Sequence, residues 1–238
     1  MDANNIKFRC SSLGHLMTDP RSKSELISET TKTHLVDVFV SKKYQRNTDI
    51  SNRYTNKGLM VEEDSLTLYS RHKKRFFKKN MEFMSNEFII GTPDIITETV
   101  VIDIKSSWDI FTFFRNNNHD KLNKMYYWQL QGYMALTGRK NALLVYCLVN
   151  TPEILIGDEK RKLSYRMGVI DTQADRSFID ACAELDRLMI YDDIPMEERV
   201  FEIFIERDDS AIERLYSRIK DCRAYMNEYL FKVAEVFS

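Results

Sequence analysis

Apolar positions along the chain alternate between two periods. Leu26, Ile27, Leu35, Val38 and Phe39 recur at helical spacing and predict a helix over 22–45, with further helices over 11–19 and 56–71. From Glu87 to Ile104 the texture becomes that of strands: Phe88-Ile89-Ile90, a Gly-Thr-Pro turn, Ile95-Ile96, then Val100-Val101-Ile102. Helices are predicted over 108–115 and 121–138, separated by Asn116-Asn117-Asn118. The apolar run 142–149 is rich in β-branched and aromatic residues and predicts a buried strand. Weaker strands are predicted over 163–171 and 199–206, and helices over 173–190 and 209–236. In the last of these Ile212, Leu215, Ile219, Cys222, Met226 and Leu230 share a face. This order predicts an α/β fold with a mixed central sheet flanked by helices. No repeat, low-complexity stretch or linker divides the chain, so a single domain over 1–238 is expected.

With 43% hydrophobic and 30% charged residues among 238, the chain has globular composition, which excludes wholesale disorder. Its longest apolar run falls far short of the roughly 20 residues that cross a bilayer. The first residues have no basic segment followed by an apolar one, so neither a signal peptide nor a membrane partner is expected. Cys10, Cys147, Cys182 and Cys222 are scattered, which reads as free thiols in a reducing compartment, the cytoplasm. The net charge of −1 hides an asymmetry. Residues 1–150 carry 22 Lys and Arg against 16 Asp and Glu, whereas 151–238 carry 13 against 20. A polyanionic partner on the N-terminal side fits this split, and so does an uneven but idle surface charge.

The informative stretch runs from Gly91 to Ser107. A two-residue loop at Glu98-Thr99 would pair Ile96 with Val101, Ile95 with Ile102 and Asp94 with Asp103, bringing two carboxylates to one point. Lys105, two residues after Asp103, projects from the same face, while Ile104 points the opposite way and leaves its carbonyl at the strand end. Two carboxylates, a backbone carbonyl and water form an all-oxygen set suited to Mg²⁺ or Mn²⁺. An acid two residues before a lysine recurs by chance in a chain this charged, as Asp158-Glu159-Lys160 shows. The apolar strand before Asp103-Ile104-Lys105 and the Gly-Thr-Pro-Asp start favour a site over a surface hairpin.

Two flanking helices offer more. Glu62 follows Gly58-Leu59-Met60-Val61 and is available as a third acid, with Glu63 as its rival. Gln129 and Tyr133 are four residues apart and share a helix face with Tyr126 and Met134, where the Gln must find hydrogen-bond partners.

In their order, Gly-xxx-Glu (58–62), Gly-x-Pro-Asp (91–94), Asp-x-Lys (103–105) and Gln-xxx-Tyr (129–133) resemble the PD-(D/E)XK nuclease superfamily, and within it the RecB-type, phage lambda exonuclease-like (YqaJ-type) branch. The resemblance covers about residues 8–150; 151–238 would be β/α additions to the same domain. It implies a restriction-endonuclease-like core and Mg²⁺- or Mn²⁺-dependent hydrolysis of DNA phosphodiesters. Asp94 and Asp103 would bind metal, assisted by Glu62 and the Ile104 carbonyl. Lys105 would orient the attacking water, with a pKa depressed by desolvation beside the metal. Gln129 would support Lys105 or the phosphate, and Tyr133 would pack its helix near the DNA. Phe8-Arg9-Cys10-Ser11-Ser12-Leu13-Gly14 resembles the signature that holds the 5′-phosphate of a DNA end in these exonucleases, although Ser11 or Ser12 would serve equally as a plain helix cap. The basic run from Arg71 to Lys79, with Lys73, Lys74 and Arg75 at its centre, would track phosphates or simply end a solvated helix. Iron–sulfur members of the RecB-type group carry a cysteine cluster that these four cysteines do not supply.

The function expected is therefore a DNA exonuclease acting from duplex ends, 5′ to 3′, in phage-type recombination. Relatives of this kind work as oligomeric rings, trimers among them, and feed single strands to an annealing protein. A structure- or site-specific endonuclease on the same core is the alternative, followed by a non-catalytic nucleic-acid-binding module.

Overall fold

The computed structural model describes residues 2–47, 53–117 and 122–231. Strand β1 (Phe8–Arg9) runs into a 3₁₀ turn, Cys10–Ser12, and the one-turn helix α1 (Leu13–Leu16). Helix α2 (Glu29–Tyr44) starts where the Ser28 hydroxyl accepts from the Thr31 N–H at 3.1 Å, so residues 22–28 are turns rather than the helical stretch expected. The helix expected over 56–71 is two, α3 (Arg53–Met60) and α4 (Glu62–His72), broken at the buried Val61. Strands β2 (Met84–Ser85), β3 (Ile89–Gly91), β4 (Ile95–Ile96) and β5 (Val100–Ser106) follow. After them come α5 (Ile110–Asn116), α6 (Lys124–Thr137) and β6 (Asn141–Cys147).

Beyond β6 the sequence misled. The strand expected over 163–171 is the end of a helix, α7 (Glu153–Met167). Leu155, Ile156 and Glu159 are buried at helical spacing, and Gly168 closes the helix at φ 65°, a conformation that costs glycine nothing. Helix α8 (Arg176–Met189), strand β7 (Val200–Glu206) and helix α9 (Asp209–Tyr225) complete the order. A π-helical turn, Met226–Phe231, continues α9, and the rest of the helix expected to 236 lies outside the described residues.

Two sheets result. The smaller has the order β1-β3-β2, and the larger is β4-β5-β6-β7, parallel only between β5 and β6, which is the mixed sheet expected. The alternation of β5 sorts its residues. Ile102 joins Ile95, Val145, Cys147 and Val200 in a cluster closed by Val61, Leu68 and Tyr69 from the α4 side. Val101 faces the other way, with Leu144, Ile203, Leu130 of α6 and Leu215 of α9. Asp103 and Lys105 therefore emerge on the α6 face of β5, and Ile104 on the α4 face.

Close packing fixes α6. A methyl group at Gly132 would lie 2.7 Å from Leu13 Cδ1 and 2.9 Å from Cys10 Sγ, and one at Gly91 would lie 2.7 Å from the Tyr133 ring. Gln131 staples the far side: its Nε2 donates to the Glu206 carbonyl at 2.8 Å and its Oε1 accepts from the Asp208 N–H at 2.9 Å. On α3, Lys57 is 1% exposed and donates to the Trp108 carbonyl at 2.8 Å, tying that helix to the loop after β5.

Candidate active site

The β4–β5 hairpin has the register read from the sequence: Ile95 opposes Ile102, Ile96 opposes Val101, and the Thr97 N–H donates to the Val100 carbonyl at 2.9 Å. The paired ladder ends at Ile95, and Asp94, the next position in that register toward Asp103, makes no ladder hydrogen bond. Its Oδ2 instead accepts the Ile104 N–H at 2.6 Å. The carboxylate thereby takes the place of a backbone acceptor on the β4 side of β5, which itself runs on to Ser106.

Asp103 is 2% exposed. Its Oδ1 accepts from Gln129 Nε2 at 3.0 Å, and Lys105 Nζ lies 2.8 Å from its Oδ2. Lys105 also donates to Gln129 Oε1 at 3.2 Å and stands 4.9 Å from the Tyr126 ring centre. Gln129 Nε2 donates a second time, to the Tyr133 hydroxyl at 3.0 Å. One amide thus orients the acid, the lysine and a tyrosine together. Asp103 Oδ2 is engaged by the Lys105 ammonium.

Burial, reinforced by the charge of Asp103, pushes the Asp94 carboxyl up to about 7, against the Ile104 N–H and Lys105, which favour its ionised form. Burial opposes the Lys105 ammonium, but the charge and hydrogen bond of Asp103, with Asp94 behind, outweigh it and hold the lysine above its ordinary value. Two carboxylates facing it produce that direction.

Asp94 and Lys105 border a cleft of about 460 Å³, lined with them by Ile104 and Tyr126 and by Gly58, Glu62 and Ser65, with Asp103 and Gln129 buried behind. Glu62 lies on this cleft, while Glu63 turns outward with its side chain 73% exposed, so the structure separates the two rivals. Lys79 Nζ lies 2.9 Å from Glu62 Oε2 and 3.3 Å from Glu63 Oε1. Among the described residues, no three His, Cys, Asp or Glu side chains gather closely enough to hold a cation unaided. The donor chemistry is of the kind that suits a hard divalent ion: Asp94 and Asp103 crowd each other, and the Ile104 carbonyl and water would complete an all-oxygen shell.

The remaining sequence candidates separate. Tyr133 is 5% exposed, so it supports Gln129 from within and offers no surface to DNA. Arg9 and Ser11 are exposed on β1 and the turn after it, but the Ser12 hydroxyl donates to the Arg9 carbonyl at 3.0 Å. The helix that follows has only four residues, too short for the anion-binding N-terminus expected. Lys73 pairs with Glu202 at 3.0 Å, Arg75 lies 5.3 Å from the centre of the Phe77 ring, and Lys74 is exposed at φ 50°. The sequence reading missed Lys79 in the cleft and the hydroxyl pair Ser65–Ser106 at its wall, 2.7 Å apart. Tyr126 carried a signal, since it shares the face of Gln129.

No protein-family model matches the chain, and neither does any curated protein. Solved structures do. A phage-related exonuclease from Haemophilus somnus 129PT superposes with a TM-score of 0.78 at 28% identity, covering 98% of this chain and 97% of that one. An alkaline exonuclease from Laribacter hongkongensis gives 0.65 at 16% identity, covering 99% and 97%, and its complex with dAMP gives 0.64 at 18% identity with the same coverage. The resemblance to phage lambda exonuclease-like nucleases that the motifs carry is borne out at the level of the whole fold.

Proposed function

Given a chain that shares its fold with phage-related and alkaline exonucleases, we propose that it is a Mg²⁺- or Mn²⁺-dependent DNA exonuclease working 5′ to 3′ from duplex ends in phage-type recombination. One observation carries this reading: Asp103, Lys105 and Gln129 are locked together beside Asp94 at the rim of a cleft, in the order and on the elements that the motifs require.

Asp94, Asp103, the Ile104 carbonyl and Glu62 would hold the cation. Bound there, it would lower the pKa of water and offset charge building on the phosphate. The protein's own groups do the rest. Lys105, held by Asp103 and Gln129, would orient the attacking water and the phosphate oxygens through hydrogen bonds. Gln129 prevents Lys105 and Asp103 from swinging away, and Tyr133 prevents Gln129 from rotating. Glu62, paired with Lys79 on the cleft wall, would be released to the cation when the lysine meets a phosphate. Arg9 and Ser11 would take the terminal 5′-phosphate. Lys74 and Arg75 would meet the duplex backbone, whereas Lys73 must first leave Glu202. A deoxynucleoside monophosphate, the class of ligand solved with one structural neighbour, is the product such a reaction releases. Assembly into a trimeric ring and hand-over of the remaining strand to an annealing protein belong to the same reading.

The test is incubation with linear 5′-phosphorylated duplex, covalently closed circular duplex and single strands, each with Mg²⁺ and with EDTA. Release of mononucleotides from the linear duplex alone, and only with metal, is expected. Cutting of the closed circle would turn the assignment to an endonuclease, and no hydrolysis of any substrate would leave a binding module.

A further inference from the structure

Between α4 and β2 the chain runs along the outside of the hairpin. The Asn80 N–H donates to the Asp94 carbonyl at 2.7 Å, and Asn80 Nδ2 donates to the Pro93 carbonyl at 3.0 Å, so the segment is fastened beside β4. That attachment places Lys79 in the cleft. It places Arg75, Phe76 and Lys78 along a second groove of about 380 Å³ that lies over Ile95 and Ile96 and ends at Arg139. The two hollows are lined by chain neighbours: Lys78 and Ile95 line the groove, Lys79 and Asp94 the cleft.

The groove has a distinct chemistry. Phe76 is 85% exposed, while the next ring, Phe77, is buried and stacked on Tyr69 at 5.0 Å, which roots the segment. Arg139 is fixed by its Nε, which donates to the Thr97 carbonyl at 2.7 Å. Three cations line the groove against one acid, Glu98. A bare phenyl ring among cations, one residue along the chain from the lining of the cleft, suits a strand with π-faces and phosphates alternating along it. In a duplex the base faces are stacked on each other, so a side chain at this edge reaches them only where a strand is unpaired.

We propose that this groove binds the unpaired strand of DNA next to the cleft, with Phe76 stacking on a base and Lys78 and Arg139 meeting the flanking phosphates. The proposal rests on the reading of the chain as a DNA nuclease and adds the surface that keeps strands apart at its entrance.

The test is binding of a fluorescent single-stranded oligodeoxynucleotide to the full chain in EDTA, where no hydrolysis occurs. F76A should weaken binding about ten-fold, the scale of one base–aromatic stack, and K78A should flatten its salt dependence. F76W should retain affinity, and its added emission should be quenched by the oligonucleotide. Binding of a blunt duplex should change little in any of the three. Equal single-strand affinity of F76A and the parent, or unquenched emission in F76W, would overturn the proposal. Nucleotide release by the parent in Mg²⁺ is scored separately. A parent that degrades DNA while F76A binds normally refutes the groove alone. A parent that binds through Phe76 but hydrolyses nothing refutes the nuclease reading alone.

Discussion

Gln129 stands on a different element from Asp103, 26 residues further along the chain, yet its side-chain amide donates to the Asp103 carboxylate at 3.0 Å. The same amide accepts from Lys105, so its removal frees both groups at once. Gln129→Leu should lower the rate of nucleotide release ten- to a hundred-fold or so. It should also cost about 1–3 kcal/mol of stability, because Asp103 Oδ1 and the Tyr133 hydroxyl lose a buried partner. Steady-state kinetics and urea melts of the variant check both numbers; unchanged turnover would remove Gln129 from the site.

Asp103→Ala and Lys105→Ala should each abolish hydrolysis, by roughly 10²–10⁴-fold or more, while circular dichroism shows an intact fold. The pair differs in a second readout. Without Lys105 the two acids lose their fixed cation, so thermal stabilisation by added Mg²⁺ should grow; without Asp103 it should vanish.

Arg9 is exposed and free to meet an anion at the protein surface. Arg9→Ala should mainly erase the preference for 5′-phosphorylated over 5′-hydroxyl duplex ends, with little loss on the hydroxyl substrate. Comparison of initial rates on the two ends decides it, and a parent enzyme indifferent to the phosphate would refute the role.

Burial pushes Lys57 down to about 7, despite the charge of Asp109. The unfolded chain, with an ordinary lysine, binds more protons than the folded one above that value, so stability should rise with pH from about 7 toward 10. Lys57→Met removes the titration. Melting temperatures between pH 7 and 9 should climb in the parent relative to the variant; parallel curves would show that Lys57 is not buried as a free base.

The hairpin and its chemistry were legible because they are local. A period of two places Asp103 and Lys105 on one face whatever lies around them, and Thr97 and Val100 close the turn by themselves. The hydrogen bond from the Ile104 N–H to the Asp94 carboxylate was not legible, since a side chain standing in for a backbone acceptor leaves no mark on the alternation. Residues 163–167 read as strand because short apolar runs do not carry their own period, and the helix is set by its upstream buried turn and by Gly168. Lys79 was one lysine in a basic run. What singles it out is Asn80, held by carbonyls 13 and 14 residues away, a relation no pattern within the run encodes.

That same Asn80 attachment bears on solubility. β4 is only two residues long and is the outermost strand of its sheet, where exposed peptide groups would invite a strand from a neighbouring molecule. Having the Pro93 and Asp94 carbonyls already engaged, and cations arrayed beside them, blunts that template toward another copy along the rim proposed for the reaction.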